Sequence, residues 1–521
     1  MKIKALFLGL MLSQSVLAAP GVVVLAGGGP EGDIGMEKDW SYTLYKKLID
    51  NGDMTKDGKI KVVVLSLDKP DTNFMVDYLK SMGATSSENL VISSKKAAND
   101  PKLVKTLADA DVLFIRGGNQ GKAYQLWKDT KLHEQIKALA DRGGAIGGTS
   151  SGSMGLSQYS MTGGQDFTSK DVMQDSHSPL LNDKVDPSVS GIHNDFLNLV
   201  PGVIVDTHCG ERARLGRILA VQAKAIEDYK DDKIVGICLE EKTGLVVKDG
   251  KAEVFGTGVV HFTQETEDTK VIREPGKALV YTDIRNDALT QGWTFDLNTR
   301  LPDLKKKPES TKSIRPVTLC GMADDKLSAE GSVVTNYMMN EPEKARNLFI
   351  ANDAHSDFKL KTGDRIRGLV QTRSLVKLSE HPESSIVFLD ANSKLEGIGD
   401  NRFISLKKSG KEAEVPSLIL DCQYCSFTST SPYLSNQDDG SQTLRSAGMV
   451  NMRVHVISKD VAYNVKDHKT SYSDSEALGP TCEEKGKKKV SKFLDDQQKI
   501  LTKMICCLLY TSDAADEGFC V

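Results

Sequence analysis

The sequence has little net charge, no internal repeat and no second long apolar run, and these absences exclude several classes of protein. Its 67 Lys and Arg residues nearly balance 71 Asp and Glu residues, which gives a net charge of −4. This balance excludes a generally basic nucleic-acid-binding protein, although a local basic pocket is compatible with it. The 39% hydrophobic and 26% charged residues are typical of globular domains, and 521 residues suffice for two to four of them.

The single long apolar run lies at the start, where residues 1–19 read MKIKALFLGLMLSQSVLAA. Lys2 and Lys4 precede an apolar core that is too short to span a bilayer. We expect a signal peptide that is cleaved near Ala18 or Ala19, and an uncleaved anchor is the alternative. The mature protein is then expected to be secreted or periplasmic, without stable membrane insertion after cleavage.

Cysteines are few, and clusters with the spacing of metal ligands are missing. Two of the nine cysteines lie in residues 507–521, which begin with CLLYTSDAADE and resemble a translated sequencing adapter. We expect this segment to be an artefact and the native reading to end near Cys506. Five of the other seven lie in the C-terminal half and favour one or two disulfides in an oxidising compartment. Cys422 and Cys425 form one CxxC pair, which favours a structural disulfide over half a zinc site or a redox pair.

Short apolar runs alternate with amphipathic stretches over the first third of the chain. Val22–Leu25 is a buried-strand run, and the four-residue spacing of Trp40, Leu44 and Leu48 predicts a helix. Near-continuous apolar strands separated by helices are typical of a parallel sheet that is covered by helices on both faces. We therefore predict an α/β domain over residues 20–300, in which strands at about 233–284 form an added sheet edge.

The sequence after residue 300 has a different character. Residues 302–316 read PDLKKKPESTKSIRP, which is charged and flanked by proline, so we assign 301–316 to a linker. Short β segments follow and predict a smaller, mainly β C-terminal domain over 317–506. This region has no functional motif, and attachment to a substrate or a surface is its expected role.

A glycine-rich segment at residues 27–32, GGGPEG, follows the first predicted strand. It fits the GxGxxG pattern of dinucleotide-binding domains, but Pro30 stands where the helix would begin. No acidic residue ends a second strand about twenty residues later, as that motif requires. We therefore interpret the segment as a tight strand-to-loop turn, and we expect no organic cofactor.

A second glycine-rich segment supplies a candidate nucleophile. Residues 148–152 read GTSSG, between a predicted strand and an apolar helical segment, and match the GxSxG nucleophile elbow. The glycines permit a strained turn that lifts Ser150 above the strand end. The backbone N–H of Ser151 is then placed to bind an oxyanion at the start of the helix.

A serine is a weak nucleophile until a base removes its proton. Among nine histidines, His208 is the candidate base, because it directly follows a predicted strand and so lies at a carboxyl end, as Ser150 does. The third member of a triad is less defined by the sequence. Asp166 is the nearest acid beyond the elbow helix and is our prediction, with Asp171 and Asp175 as alternatives.

Two further segments are candidate substrate-binding elements. The GGNQ segment ends a predicted strand, so backbone N–H groups of Gly118 and Asn119 can complete the oxyanion hole, while Gln120 can bind a substrate amide. A plain strand-to-loop turn is the alternative. Three closely spaced arginines after His208 suit carboxylates, since each guanidinium binds a carboxylate bidentately, and a solvated helix face is their alternative: Arg212, Arg214 and Arg217.

The segments GGNQ at 117–120, GGTSSG at 147–152 and DTHxxxRxRLGR at 206–217 together resemble the cyanophycinases, serine peptidases grouped with peptidase E. The resemblance covers roughly residues 21–230. It implies an α/β domain like that of class I glutamine amidotransferases, usually dimeric, in which Ser150 is the nucleophile and His208 is the base. It also implies that five residues line the substrate site: Gln120, Asp206, Arg212, Arg214 and Arg217.

The sequence departs from the family pattern at four positions near the expected pocket. Thr207 stands where intracellular members commonly have Gln, and Cys209 stands where an aromatic residue usually follows the histidine. Ser151 and Ser153 replace alanines. These changes bear more on the substrate than on the chemistry.

The sequence therefore predicts a secreted serine peptidase that needs no metal and no organic cofactor. The expected substrate is cyanophycin, a polyaspartate that carries arginine on each side-chain carboxyl, or a related aspartyl peptide. Cleavage through an acyl-enzyme would release β-Asp-Arg dipeptides. A peptidase E-like dipeptidase acting on Asp-X or isoaspartyl peptides, and an inactive amidotransferase-like binding module, are the alternatives. A homodimer is expected, and a nucleic-acid partner is not.

Overall fold

The structure is a computed structural model that describes residues 21–162, 169–181, 191–209, 212 and 214–305, with further strand segments between residues 356 and 472. In the described residues the helices are α1 (Trp40–Asp50), α2 (Phe74–Ser81), α3 (Lys95–Ala98), α4 (Pro101–Ala108), α5 (Gln120–Trp127), α6 (Lys131–Asp141), α7 (Ser151–Met154), α8 (Ser169–Gln174) and α9 (Leu215–Tyr229).

The strands up to residue 302 are β1 (Val22–Ala26), β2 (Lys61–Ser66), β3 (Ser86–Val91), β4 (Val112–Ile115), β5 (Ala145–Thr149), β6 (Ser157–Met161), β7 (Ile192–His193), β8 (Val200–Asp206), β9 (Val235–Leu239), β10 (Thr243–Lys248), β11 (Lys251–Gly256), β12 (Val260–Gln264), β13 (Lys270–Ile272), β14 (Val280–Leu289), β15 (Thr294–Asp296) and β16 (Leu301–Pro302). The later strands are β17 (Ser356–Lys359), β18 (Leu369–Gln371), β19 (Ser385–Asp390), β20 (Phe403–Lys408), β21 (Ser417–Cys422), β22 (Ser426–Ser429), β23 (Ala447–Ile457), β24 (Val461–Asn464) and β25 (Lys469–Tyr472).

The first sheet confirms the predicted α/β class. Five parallel strands lie in the order β3-β2-β4-β5-β1, and the antiparallel strands β10, β11, β15 and β16 extend the sheet beyond β1. Five of the helices between these strands begin at a side-chain cap: α1, α3, α4, α5 and α6. For example, the Asp39 side chain accepts a hydrogen bond from the Ser41 N–H and starts α1.

A second sheet contains β8, which the apolar pattern could not distinguish from the strands of the first. Strand β8 lies between β6 and β9, and it is parallel to both. The region expected to form one added edge, 233–284, divides between the sheets: β10 and β11 join the first sheet, whereas β9, β12 and β14 join the second. An apolar run predicts a buried strand but does not specify its partner, so the pattern suggested one sheet where there are two.

Side chains alternate along the strands and build the core in layers. On β1, Val23 and Leu25 belong to a cluster that also includes Val205 and Ile237 of the second sheet. The side chains of opposite parity on β1 pack in a cluster with residues of α1 and α2. A third cluster joins the other face of the second sheet to α9. The alternation follows from strand geometry, and the cluster that contains residues of both sheets packs the two sheets against each other.

The carboxyl ends of strands from both sheets meet at one place. The Ser150 N–H, after β5, donates a hydrogen bond to the Ala26 carbonyl at the end of β1 (2.9 Å), and the His208 N–H, after β8, donates to the Gly27 carbonyl (3.0 Å). The Gly27 N–H in turn donates to the Thr243 carbonyl at 2.7 Å. These backbone contacts bring the loops after β1, β5 and β8 together.

The described strands beyond residue 316 include one that packs on the first domain. Strand β23 pairs antiparallel with β14, and Met452, Val454 and Val456 are 0% exposed within the cluster around α9. The predicted boundaries at 300 and 316 therefore do not separate this strand from the peptidase-like core. The predicted linker also begins within the sheet, because Leu301 and Pro302 pair with β15.

Several expectations fall outside the described residues. The predicted signal peptide (1–19), most of the predicted linker, Cys425 and the adapter-like segment (507–521) lie there. Among the residues that are described, no helix is both long enough and apolar enough to cross a membrane.

Candidate active site

The loop between β5 and α7 holds Ser150 in a strained conformation. Its φ of +54° and ψ of −126° lie outside the regions that side-chain-bearing residues usually adopt. Glycines make this turn possible, since a Cβ on Gly148 would lie 2.6 Å from the Gly152 carbonyl carbon. A Cβ on Gly152 would lie 2.3 Å from the Ile115 carbonyl oxygen. The turn has the strand–turn–helix form of a nucleophile elbow.

The imidazole of His208 lies directly against the serine hydroxyl. Its Nε2 is 2.7 Å from Ser150 Oγ, although 58 positions separate the two residues along the chain. His208 is 7% exposed and has a φ of +54°, at the turn that follows β8. The distance and burial are those required for a base that accepts the hydroxyl proton.

A carboxylate contacts the other ring nitrogen of His208, and it belongs to Glu241. Glu241 Oε1 lies 2.6 Å from Nδ1, and its side chain is 25% exposed. The sequence predicted Asp166 in this place, with Asp171 and Asp175 as alternatives; Asp166 lies outside the described residues, and the position at Nδ1 is taken by Glu241. The available signal was that Glu241 follows the apolar run of β9, so it too lies at a strand's carboxyl end.

The surroundings of His208 lower the pKa of its imidazole below the ordinary 6.5. Burial is the main cause, because it disfavours the charged ring. The hydrogen bond and the charge of Glu241 act in the opposite direction, whereas the positive charges of Arg212 and Arg214 lower the pKa further. The ring is therefore neutral at neutral pH, as a general base must be.

The first glycine-rich segment forms a support for this imidazole. Gly28 has a φ of +98°, and a Cβ on it would lie 2.3 Å from His208 Cε1. The Gly28 carbonyl also accepts a hydrogen bond from the Lys242 N–H at 2.8 Å. Helix α1 begins only at Trp40, so the segment is a turn and not the start of a phosphate-binding helix. Among the residues that the structure describes, no group of three or more His, Cys, Asp or Glu is arranged to hold a metal ion.

The Ser150 hydroxyl and His208 lie in a cleft of about 430 Å³. Its wall combines the elbow, the end of β4, the start of α5 and the arginine segment after β8. The lining residues are Gly117, Gly118, Gln120, Ser150, Ser151, Met154, Thr207, His208, Arg212, Arg214 and Arg217. A substrate in this cleft would therefore meet both the serine and arginine side chains.

The three predicted arginines differ in how much of each a substrate can reach. Arg212 is exposed, whereas Arg214 is 8% exposed and its Nη1 donates to the Thr207 carbonyl at 3.0 Å. Arg217 is 1% exposed, and its Nε donates to Asp206 Oδ2 at 2.7 Å. Asp206 was also predicted to line the substrate site; the structure places it at 0% exposure, where it binds Arg217 from inside the protein.

The residues of the GGNQ segment, 117–120, have different roles. Gly118 and Gln120 line the cleft, and Gln120 is the first residue of α5. The Asn119 side chain accepts a hydrogen bond from the Lys122 N–H at 2.9 Å and caps that helix, so it is committed to α5. A Cβ on Gly117 would lie 3.1 Å from the Ser150 Cβ, which is a tight contact, so a larger residue here would press on the nucleophile.

Two of the departures from the family pattern have structural roles next to the site. The Ser153 hydroxyl is 0% exposed, accepts a hydrogen bond from the Ala26 N–H at 2.8 Å and lies within bonding distance of the Gly148 carbonyl. It therefore links the end of β1 to the elbow. Cys209 forms a disulfide with Cys238 of β9. This pairing could not be predicted from the sequence, because it depends on β9 lying next to β8.

Comparisons with known proteins give a family match, two sequence relatives and a structural alignment. Residues 71–255 match peptidase family S51. The cyanophycinases of Nostoc sp. and of Trichormus variabilis are each 28% identical over 232 residues, which cover 43% of this chain and 70% of each relative. A solved peptidase from an acI-B1 Actinobacterium aligns with 18% identity and a TM-score of 0.35, covering 54% of this chain and 98% of that one.

The matched region contains the elbow, the imidazole after β8 and Glu241, so the sequence match and the site coincide. The chain is a serine peptidase that matches peptidase family S51 over residues 71–255 and is similar to the cyanophycinases.

Proposed function

We propose that this peptidase hydrolyses cyanophycin or closely related aspartyl peptides and releases β-Asp-Arg dipeptides. The observation that carries the proposal is the cleft that holds Ser150 beside His208 and is lined by arginine side chains. The relatives named cyanophycinase support the same substrate class.

The proposed reaction is an acyl transfer. His208 Nε2 accepts the proton of Ser150 Oγ, and the oxygen attacks the substrate carbonyl to give a tetrahedral intermediate. The backbone N–H groups of Ser151 and Gly118 bind the oxyanion. Protonated His208 then gives its proton to the leaving nitrogen. In the second half of the reaction His208 accepts a proton from the water that attacks the acyl-enzyme, and it returns a proton to Ser150 Oγ.

In this reaction Glu241 accepts a hydrogen bond from His208 Nδ1–H. That bond fixes the tautomer in which Nε2 is free to accept a proton, and it stabilises the imidazolium that forms. Loss of the carboxylate should therefore slow the chemical step while leaving the substrate cleft in place.

The proposed substrate matches the charge of the cleft. Each arginyl group of cyanophycin presents an α-carboxylate, and a guanidinium binds a carboxylate with two parallel hydrogen bonds. Arg212 is the exposed arginine and is proposed to make this contact, while Arg214 provides positive charge in the wall. Gln120 is proposed to bind an amide of the polymer backbone.

We also propose that the protein is secreted or periplasmic, which would bring it to polymer released by other cells. Residues 1–19 have the pattern of a signal peptide, and the disulfide between Cys209 and Cys238 suits an oxidising compartment. A homodimer belongs to the same proposal. Nucleic acid is not a proposed partner, because the chain has a net charge of −4.

The test is to incubate the mature chain with insoluble cyanophycin and to identify soluble products by mass spectrometry. We expect β-Asp-Arg from the wild type and none from Ser150→Ala. Asp-X and isoaspartyl dipeptides, offered in parallel, separate the polymer-degrading enzyme from a dipeptidase.

Labelling with a fluorophosphonate gives a readout that does not depend on the substrate. A reactive Ser150 is expected to be labelled in the wild type. Labelling without release of β-Asp-Arg would refute the proposed substrate alone, whereas no labelling of the folded protein would refute the proposed chemistry.

A further inference from the structure

The disulfide Cys209–Cys238 joins the two segments that carry the base and its carboxylate. Cys209 directly follows His208, and Cys238 lies in β9, three positions before Glu241. The Cα atoms of the two cysteines are 5.5 Å apart, and the cysteines are separated by 29 positions in the chain. Cys209 is 2% exposed and Cys238 is 0% exposed. The bond thus closes the β8–α9–β9 unit at its catalytic end.

We propose that this disulfide is a positioning element of the active site, which holds the turn after β8 against the end of β9 and so maintains the contact between His208 and Glu241. The inference rests on the proposed Ser150–His208–Glu241 chemistry, but it does not depend on cyanophycin as the substrate. It assigns a role to a cysteine that stands where the family usually has an aromatic residue.

The need for such a link follows from the geometry of the two segments. Register in the β8–β9 ladder pairs Asp206 with Cys238, and the ladder ends there. Beyond it, the His208 backbone turns through a positive φ, which side-chain-bearing residues rarely adopt. The Cys209 N–H donates to the Leu239 carbonyl at 2.9 Å, so a single backbone hydrogen bond and the disulfide join the same two segments at this point.

Glu241 is more exposed to solvent than the imidazole it contacts. Its side chain is 25% exposed, whereas that of His208 is 8% exposed. A glutamate at a water-accessible edge keeps a contact of 2.6 Å only while its backbone stays in place. A small displacement of a catalytic group can lower a rate by about a hundredfold. A covalent link between the adjoining backbone segments prevents that displacement.

A positioning role makes a prediction about pH that a purely stabilising disulfide does not. The groups that act on the His208 charge are Glu241, which raises the imidazole pKa, and Arg212 and Arg214, which lower it. If the link maintains the Glu241 contact, its removal weakens the raising effect and leaves the other two. The pKa of His208 then falls, and the acidic limb of activity moves to lower pH.

The experiment measures the rate of fluorophosphonate labelling at Ser150 across a pH series. The variant carries Cys209→Ala together with Cys238→Ala, in wild-type and in Glu241→Gln backgrounds. We expect a plateau rate about tenfold to a hundredfold lower and an acidic limb at lower pH in the wild-type background. In the Glu241→Gln background, removing the cysteines should leave the limb where it is, because the contact is already lost.

Val454→Ala is the matched control, because Val454 is fully buried on β23, a strand without active-site residues. It should lower thermal stability without moving the limb. If the cysteine variant does not fold, reduction of the folded wild type with a phosphine, followed by reoxidation, replaces it. An unchanged limb, or loss of the fold in both the variant and the reduced protein, overturns the positioning role. Absence of labelling in the oxidised wild type would instead refute the proposed chemistry.

Discussion

At the scale of single residues, the nucleophile and its base share the same unusual backbone conformation. Ser150 and His208 both have a φ of +54°. Such conformations cost free energy and persist where the surrounding structure enforces them, which is common at functional sites. Here backbone hydrogen bonds stabilise both conformations. The Ser150 N–H donates to the Ala26 carbonyl and the His208 N–H donates to the Gly27 carbonyl, the next residue along the chain.

The charge of Arg212 should set the acidic limit of activity. Because its positive charge lowers the pKa of His208, Arg212→Gln should raise that pKa and move the acidic limb of kcat/KM to higher pH. The shift should be small, since the guanidinium is exposed and water screens its charge. Labelling rates at Ser150 measure it without a substrate contact.

Arg212→Lys is the control for this prediction, since it keeps the positive charge and should leave the acidic limb of the pH profile at the wild-type pH. Added salt should reduce the difference between wild type and Arg212→Gln, because exposed charges are screened. A limb that stays at the same pH in Arg212→Gln at low salt would contradict the assignment.

Gly28 should be essential for the position of the imidazole. In Gly28→Ala the new Cβ would meet His208 Cε1 at 2.3 Å, so the ring must move away from Ser150. We expect kcat/KM and the labelling rate to fall by about tenfold or more. Kinetics of the purified variant, together with its circular dichroism, test this expectation.

Gly35→Ala separates the clash from the backbone strain. Gly35 also has a positive φ, +93°, but a Cβ on it meets nothing within 4 Å. Both variants carry the strain of a side chain at positive φ, and only Gly28→Ala reaches the histidine. Equal losses of activity in the two variants would show that strain in the loop, and not the clash, is responsible.

At the scale of elements, a buried ion pair between Arg217 and Asp206 joins α9 to β8. Arg217 donates from Nε to Asp206 at 2.7 Å, and both side chains are almost completely buried. Burial raises the pKa of Asp206, but Arg217, by charge and hydrogen bond, and Arg214 lower it to a net value below the ordinary 3.8. The pair therefore orients α9 behind the arginine segment of the cleft.

Asp206→Asn should destabilise the fold by about 3–5 kcal/mol, because it leaves a buried guanidinium without its countercharge. Since the carboxyl pKa is lowered on folding, its contribution is present above pH 3.8 and is lost as the pH falls through the lowered value. Chemical denaturation at neutral and acidic pH measures both effects. Asp50→Asn, which breaks the exposed pair with Lys46 on α1, should cost about 0.5 kcal/mol or less.

The position of Asp206 also shows that strand periodicity can predict which way a side chain points. Along β8, Val203 and Val205 face the core between the sheets, and Ile204 faces the cluster around α9. Asp206 has the parity of Ile204, so its side chain points toward α9 and away from the cleft. The alternation could be recognised in the sequence, but the family resemblance implied that Asp206 contacts the substrate.

Glu241 marks the limit of prediction from local patterns. Ser150 and His208 were predicted because each follows a strand and lies in a recognisable motif, and the structure brings them within 2.7 Å. Glu241 lies in no motif, and its proximity depends on β9 being the neighbour of β8. Strand order across long chain separations is set by packing of whole elements, which local periodicity does not encode.

At the scale of the whole molecule, β23 makes residues beyond the predicted linker part of the peptidase core. Met452 is 0% exposed and packs in the cluster that contains α9. The Asn451 N–H also donates to Asp287 of β14 at 2.7 Å. The stability of the catalytic domain should therefore depend on this distant strand.

Met452→Ala should lower the free energy of unfolding by about 2–5 kcal/mol, because it leaves a cavity in a buried cluster. Loss of Ser150 labelling on heating should follow the same lower transition, since the strand belongs to the core that carries the site. Leu304→Ala, at a side chain that is 56% exposed, should change stability by about 0.5 kcal/mol or less. A catalytic transition that is unchanged in Met452→Ala would indicate that β23 folds apart from the site.

The meeting of two sheets at the site has one more consequence. Ser150 ends a strand of the first sheet and His208 ends a strand of the second, and 58 positions of chain separate them. Neither sheet alone can therefore produce a reactive serine. We therefore expect a chain in which only one of the two sheets has formed to be harmless to neighbouring proteins, because cutting peptides requires both sheets to be in place.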